Sequence, residues 1–172
     1  IKKMEDMIVE MSKIKSNITI KNNSDNTTNI QINNFGKEDI NYISYKKKIK
    51  YLKLPLSALP NLIKDTHFHP QHPENHNVRL TNIHDKYGKV MKNNEWLLIS
   101  KDDLIDNLVD IGMYDFEDLV DLDSNKIDNY LSNRFKILKQ LCDNNIDKIY
   151  ERVKIMLLNE TKKLSKNKEI II

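Results

Sequence analysis

Apolar residues recur every three or four positions at the start of the chain, a spacing interrupted only at Lys15. This spacing predicts a short helix with one apolar side. The polar, Asn-rich sequence that follows offers this side no core. We therefore expect a second copy of the chain to cover it in a coiled coil, although an amphipathic helix packed on its own domain is the alternative. The predicted interface residues are Ile1, Met4, Ile8, Met11 and Ile18.

Apolar and polar residues alternate in the next part of the chain, over residues 18–21 and 30–33. Alternation with a period of two predicts two short strands. The Asn- and Thr-rich residues between them form either a hairpin loop or a flexible tether. In an oligomer, several chains would share these strands in one sheet. Residues 1–34 are thus predicted to be an oligomerising unit.

Several short elements are predicted after residue 35. Helices are expected over residues 37–43, 45–54 and 59–68, with Pro55 and Pro60 bracketing a turn. Two apolar runs flank residues 92–95, which predicts a β-hairpin whose Asn residues adopt positive φ. A third strand around residues 78–83 is expected to pack against this hairpin.

The remaining sequence has a helical period. Ser100 is a predicted N-cap with acidic residues in the first turn, and Gly112 is the predicted end of that helix. A further helical pattern covers residues 125–164 and is interrupted at residues 143–145. The predicted fold class is therefore α+β: an N-terminal coiled-coil helix and short β-strands lead into a mainly helical globular domain with a β-hairpin. That domain spans residues 35–165, and a tail follows over residues 166–172.

Composition limits the classes of function. The chain has 172 residues, 39% of them hydrophobic, and its unbroken apolar runs are far shorter than the roughly 18–20 residues that cross a membrane. Cys142 is the single cysteine, which excludes an internal disulfide and fits a reducing compartment. No secretory signal pattern opens the chain, so we expect an intracellular protein without a membrane partner. The net charge of +3 is too balanced to indicate nucleic-acid binding by bulk charge.

A cluster of lysines is the candidate for phosphate contact. A solvated face of a helix, with the neighbouring apolar residues turned inward, is the alternative that the pattern favours. The residues concerned are Lys46, Lys47, Lys48, Lys50 and Lys53.

All five histidines lie between residues 67 and 84. A zinc site would use His67, His69, His72 and His76, and the last two have a spacing found in zinc fingers. The chain has no cysteine pair, however, and Pro70 and Pro73 oppose the helix that such a pair of histidines needs.

An HNH-like nuclease is the second chemical interpretation. It would hold a divalent metal (Zn²⁺ or Mg²⁺) and use one histidine as a general base. The residues available for it are His67, His69, His76, Asn75 and Asn82. The sequence after Asn82 predicts another hairpin and not the helix that carries the last metal ligand in such enzymes.

The third interpretation is structural and needs no cofactor. In a loop with two prolines, His and Asn side chains satisfy backbone groups that are left unpaired. This interpretation accounts for the clustering of the histidines without assigning them any catalysis.

The order of motifs resembles a known family. Asn-Phe-Gly-Lys-Glu-Asp at residues 34–39 and His-Pro-Glu-Asn-His-Asn at residues 72–77 follow a predicted coiled coil and precede Trp96 and a helix. This resembles the C-terminal region of uncharacterised proteins of giant double-stranded DNA viruses, which often carry a C2H2-type finger before the coiled coil. The resemblance carries no catalytic role. It implies a viral or host protein partner, nucleic-acid contact through the full-length protein, and a place in the host cytoplasm or viral factory.

The predicted function is a homo-oligomeric assembly and interaction domain of a viral, nucleic-acid-associated protein, with no catalysis of its own. The alternative is the HNH-like metal-dependent nuclease centred on the histidines.

Overall fold

The computed structural model of the chain describes residues 18–21, 27–123 and 129–169. The coiled-coil prediction for Ile1, Met4, Ile8 and Met11 lies outside these residues, and Ile18 is the first residue of a strand. The strands are β1 (Ile18–Lys21), β2 (Thr27–Ile30), β3 (Val78–Arg79), β4 (Tyr87–Lys92) and β5 (Glu95–Ser100). The helices are α1 (Tyr45–Leu52), α2 (Pro55–Phe68), α3 (Lys101–Asp123) and α4 (Asn129–Glu169). The α+β class is confirmed.

The strands form two antiparallel sheets. Strands β1 and β2 pair within one chain, with Ile18 opposite Ile30. The second sheet has the order β3-β4-β5. Asn93 (φ 50°) and Asn94 (φ 69°) form the turn between β4 and β5. Two positive φ values define the type I′ turn, whose twist matches that of the strands. The predicted hairpin and its turn are therefore confirmed.

The helix predicted over residues 59–68 forms but begins earlier, so the turn predicted between Pro55 and Pro60 is wrong, and the helix predicted over residues 37–43 does not form. Helix α2 begins at Pro55, where a missing N–H costs nothing, and continues through Pro60. The hydrogen bond lost at Pro60 is offset because the helix buries Leu59 and Leu62. Residues 37–43 form no helix and contain one turn, at residues 41 and 42, since local bonds such as the one from Asn41 N to Asp39 Oδ1 (3.0 Å) compete with helical ones.

The two long helices follow the hairpin. Ser100 Oγ accepts a hydrogen bond from Asp103 N at 3.1 Å, as the predicted N-cap requires. The prediction that this helix ends at Gly112 is wrong, because α3 continues to Asp123. Asn145 has non-helical angles (φ −142°, ψ 36°) inside α4, which confirms the interruption predicted at residues 143–145. Helix α4 then continues through residues 166–169, the first part of the predicted tail.

The core lies between the helices and one face of the β3-β4-β5 sheet. Helix α2 contacts α1, α3 and α4, and β3 contacts α4. Leu80 N donates to Thr161 Oγ1 at 3.1 Å, which fixes the end of β3 to α4. Among residues 18–21, 27–123 and 129–169, no helix combines the length and the apolar character that crossing a membrane requires. Fully buried core side chains include Leu52, Leu59, Leu62, Val78, Leu80, Leu104, Leu108, Phe116, Leu138, Ile149 and Leu157.

Candidate functional site

The histidine segment begins in the last turn of α2 and continues in the loop to β3. His67 is buried, and its Nδ1 lies 2.8 Å from Asn77 Oδ1. The Asn77 amide nitrogen lies 2.6 Å from Glu38 Oε1 and 3.2 Å from the Asn33 carbonyl oxygen, so it donates to both. The amide oxygen of Asn77 therefore accepts the proton of His67 Nδ1. Burial lowers the pKa of His67, although the nearby Glu38 carboxylate (3.8 Å) opposes this shift.

Asn75 is the second buried amide of the segment. Its Nδ2 donates to the Asp39 carbonyl oxygen at 2.8 Å, and its Oδ1 accepts from Asn33 Nδ2 at 2.8 Å. The backbone N–H of Asn33 donates to the Glu74 carbonyl oxygen at 2.7 Å. These bonds fasten the segment before Phe35 to the loop after α2.

The other histidines of the loop have separate partners. His72 stacks on Tyr42 with ring centroids 3.5 Å apart, and its Nδ1 lies 2.9 Å from Glu74 Oε1. His76 Nε2 lies 2.9 Å from the His69 carbonyl oxygen. The Tyr42 hydroxyl donates to the carbonyl oxygen of Asp65 at 2.7 Å, and burial raises its pKa. The rings therefore contribute to packing and to hydrogen bonds with the backbone.

The geometry does not assemble the predicted chemical sites. Within the described ranges, no group of three or more His, Cys, Asp or Glu side chains is placed to hold a metal ion. Asn82 is exposed on a separate turn, where its Oδ1 accepts from His84 N at 3.0 Å. Gln71 N donates to His69 Nδ1 at 3.3 Å, and His72 and His76 bond to Glu74 and to the His69 carbonyl oxygen. His67 and Asn75 instead belong to a network of buried hydrogen bonds, in line with the structural interpretation. Glu38 and Asn33, which complete it, were not identified from the sequence because they lie about 30 to 45 residues away along the chain.

Only part of the predicted lysine cluster lies on one side of α1. Lys46, Lys50 and Lys53 are exposed, whereas Lys47 and Lys48 are half-buried. Lys47 Nζ lies 2.5 Å from Asp65 Oδ2. Each residue advances a helix by about 100°, so Lys46, Lys50 and Lys53 lie on one side, whereas Lys47 and Lys48 are turned away from it.

Strand β5 has an exposed apolar surface that the sequence analysis did not assign. Trp96 (38% exposed), Leu97 (41%) and Leu98 (67%) are consecutive. Successive side chains of a strand point to opposite faces, so apolar groups are exposed on both sides of β5. The Arg79 guanidinium lies 4.9 Å from the centroid of the Trp96 ring, and burial lowers the pKa of Arg79 to about 10.

The outer edge of β5 is open in the part of the chain that the structure describes, because no strand there pairs with it. At the opposite edge of the sheet, other segments of the chain take up backbone hydrogen bonds. Beyond β3, Leu80 N finds a partner in Thr161 of α4, and Phe35 N donates to the Met91 carbonyl oxygen of β4 at 2.8 Å. An open edge with apolar residues is a surface on which another strand can pair.

Comparisons of the chain with family models, with curated proteins and with solved structures found no match. The resemblance to giant-virus proteins therefore stays a prediction from two sequence motifs.

Proposed function

We propose that this chain is a homo-oligomeric assembly and interaction domain that pairs with a second copy of itself along β5. The observation that carries the proposal is the open edge of this six-residue strand, where Trp96, Leu97 and Leu98 are exposed. Proteins usually protect such an edge with a proline, a bulge, an inward-pointing charge or a covering segment. The sequence of β5 has no proline, and its one charged residue stands at its first position.

The sequence of β5 is complementary to itself in an antiparallel arrangement. Residues that face each other across a two-fold axis must lie on the same side of the sheet. Pairing centred on Leu98 meets this condition and sets Leu97 opposite Ile99 of the second copy. It also sets Trp96 opposite Ser100 of the second copy at both ends of the pairing.

A second contact strengthens this pairing. One strand pair buries less than the roughly 1,200 Å² at the lower limit of stable interfaces. The apolar side predicted over residues 1–18 supplies the additional surface when two or more copies form a coiled coil. The resemblance stated above adds the expectation of a viral or host protein partner in the host cytoplasm or viral factory.

Light scattering after size-exclusion chromatography tests the proposal at β5. We expect the full chain to have a mass that is a multiple of 20.3 kDa and Leu98→Lys to lower it. A charge at the centre of the pairing interrupts its apolar contact and meets the same charge of the second copy. Leu122→Lys is the matched control, because Leu122 is 78% exposed on α3, far from β5 in sequence.

Two results would contradict the proposal. One is a full chain with the mass of a single copy at high protein concentration. The other is an equal mass for Leu98→Lys and the unchanged chain. The double variant Ile8→Asp/Met11→Asp tests the predicted coiled coil separately, and it should lower the mass further in the Leu98→Lys background.

A further inference from the structure

A groove runs between α2 and the C-terminal half of α4. Its volume is about 610 Å³, and residues from Ser57 to Lys64 of α2 and from Arg152 to Lys166 of α4 line it. A hollow of about 410 Å³ between α1 and α2 adjoins it. Asn61 and Lys64 line both spaces, so the groove and the hollow form one continuous surface. We refer to this surface as the basic groove.

Positive charge is concentrated in the basic groove. Seven of its lining residues are lysine or arginine and two are acidic, an excess of five, whereas the whole chain has an excess of three. The remainder of the chain is therefore net negative. Lys47, Lys50 and Lys64 come from α1 and α2, and Arg152, Lys162, Lys163 and Lys166 come from α4.

The two acidic residues hold some of these cations in place. Glu160 lies between Lys64 Nζ (3.2 Å) and Lys163 Nζ (2.7 Å), which come from opposite walls of the groove. Burial alone would raise the pKa of Glu160, but its hydrogen bonds with Lys163 and Lys64 outweigh this and lower it. Glu160 therefore stays ionised at neutral pH and keeps the two ammonium groups beside each other. Asp65 holds Lys47 at 2.5 Å in the same way.

The other cations have N–H donors that are not used in ion pairs with described residues. Arg152 reaches Ser57 Oγ with one Nη at 3.5 Å, and the guanidinium has five N–H donors. Lys50, Lys162 and Lys166 are exposed and make no ion pair with any described residue. These groups are available to an anionic ligand without the loss of an internal contact.

Three of the cations and one neutral amide also have a regular arrangement along α4. Arg152, Asn159, Lys163 and Lys166 follow each other at intervals of seven, four and three residues, which places them on one side of the helix. From the first to the last the helix rises roughly 21 Å, at about 1.5 Å per residue. One strand of a nucleic acid duplex has one phosphate per roughly 3.4 Å of axis, so about six phosphates cover this length.

We infer that the basic groove binds the phosphate backbone of a double-stranded nucleic acid, with little dependence on sequence. Lysine ammonium groups and the Arg152 guanidinium contact the phosphates, and Asn61 and Asn159 add neutral amide donors. Tyr51 is the one aromatic residue among the residues lining the basic groove, and its hydroxyl donates to Asp65. Single-stranded nucleic acids are held by stacking on exposed aromatic rings, so the lining favours a duplex.

The acidic surface of α3 sets the orientation of the bound duplex. Helix α3 contains nine acidic residues and one lysine, and none of its residues lines the groove or the hollow. A polyanion is repelled by α3 and attracted by the basic groove. The duplex therefore approaches the molecule from the side of α2 and the C-terminal half of α4.

Fluorescence anisotropy of a labelled duplex, titrated with the full chain at several salt concentrations, tests the inference. The informative variant is Lys162→Glu/Lys166→Glu, because neither side chain has an internal ion pair to lose. The matched control is Lys136→Glu/Lys148→Glu, which reverses two exposed lysines of the same helix outside the groove and changes the net charge equally. DNA and RNA duplexes are titrated in parallel to identify which of the two is preferred.

The unchanged chain should bind with an affinity that falls steeply as salt rises. The groove variant should lose affinity on the order of tenfold or more and reduce the salt slope by about 2, while the control loses less than about threefold. Equal losses in the two variants would show attraction by bulk charge and would overturn the inference. So would binding of anionic lipid vesicles or of poly-glutamate in the absence of duplex binding.

The same comparison in the Leu98→Lys background separates this inference from the proposed assembly. Pairing of copies raises the apparent affinity by multivalency, whereas the ratio between the groove variant and its control depends only on the groove. If Leu98→Lys leaves the mass unchanged, the proposed assembly through β5 fails and the groove comparison still stands.

Discussion

Asn77 connects three separate segments of the chain through one side chain. Its amide bonds to His67 at the end of α2, to Glu38 and to the backbone of Asn33. Each of these polar groups is removed from water by folding and would cost about 1–3 kcal/mol if left unpaired. The clustered His and Asn residues are thus explained by the polar groups they satisfy in a loop whose regular structure is a single 3-10 turn at Pro73–Asn75.

The buried imidazole of His67 makes the free energy of unfolding depend on pH. Burial lowers its pKa in the folded chain, so the unfolded chain binds a proton first as the pH falls. Stability from this group is complete above the ordinary imidazole pKa of about 6.5 and is lost as the pH falls from there toward the lower pKa of the folded state. Denaturant unfolding between pH 7.5 and 5 measures the loss.

The variant His67→Gln isolates the contribution of this histidine. It should be less stable at pH 7.5, because the bond to Asn77 is disturbed, but its stability should fall less steeply toward pH 5. His84→Gln, which changes an exposed histidine, should keep the steep fall. Parallel curves for His67→Gln and the unchanged chain would show that His67 does not contribute to the pH dependence.

For single elements, sequence motifs correctly predicted the turns and caps that depend on neighbouring residues. They failed where the packing of distant elements determines the structure. The type I′ turn at Asn93 and Asn94 and the N-cap at Ser100 depend on adjacent residues, and both were predicted correctly. Gly112 was read as the end of a helix. In the structure it lies inside α3, where a Cβ atom would come within 2.7 Å of Leu59 Cδ2. The glycine is there because α2 and α3 approach closely.

Gly112→Ala should therefore destabilise the protein by about 1 kcal/mol. Alanine in a helix gains about 0.5–1 kcal/mol over glycine, but overpacking of a core costs about 1–3 kcal/mol. In the Leu59→Ala background the clash is absent, and the same substitution should become neutral or stabilising. Thermal unfolding of the unchanged chain, the two single variants and the double variant gives the coupling free energy between the two positions. Additive effects would show that Gly112 and Leu59 are not in the predicted contact.

For the whole molecule, the globular part includes residues before the boundary predicted at residue 34. Ile32 is buried, and Asn33 bonds to the backbone of Glu74 and to the side chain of Asn75. The alternating pattern at residues 30–33 was assigned to the oligomerising unit, because nothing in it shows that its partner lies some 40 residues later.

Two truncations should therefore differ in stability. The free energy of unfolding of the chain without residues 1–34 should be about 2–4 kcal/mol lower than that of the chain without residues 1–30. This difference is the combined contribution of one buried Ile and the bonds of Asn33. For a chain of this size the melting temperature should differ by roughly 5–15 °C. Equal melting temperatures would mean that residues 31–34 add nothing to the globular part.

The sequence by itself determined the α+β class, the hairpin and its turn, the first turn of α3 and the interruption of α4. These features depend on the spacing of apolar residues and on the local preferences of Asn and Ser for turns and helix caps, which act between neighbours. The histidine segment was singled out from the sequence, and in the structure its Asn75, His76 and Asn77 side chains bond to backbone carbonyl oxygens.

Only the tertiary structure decided which of these residues meet. Glu38 and Asn33 reach His67 and Asn77 across a loop, because the path of the chain brings distant segments together. The open edge of β5 exists because β4 takes its other side and no described strand follows. The basic groove combines charges from α1, α2 and α4, and its outermost cations, Lys47 and Lys166, are more than 100 residues apart along the chain. Which residues become neighbours on a surface is determined by how the elements pack, and this packing depends on the whole chain.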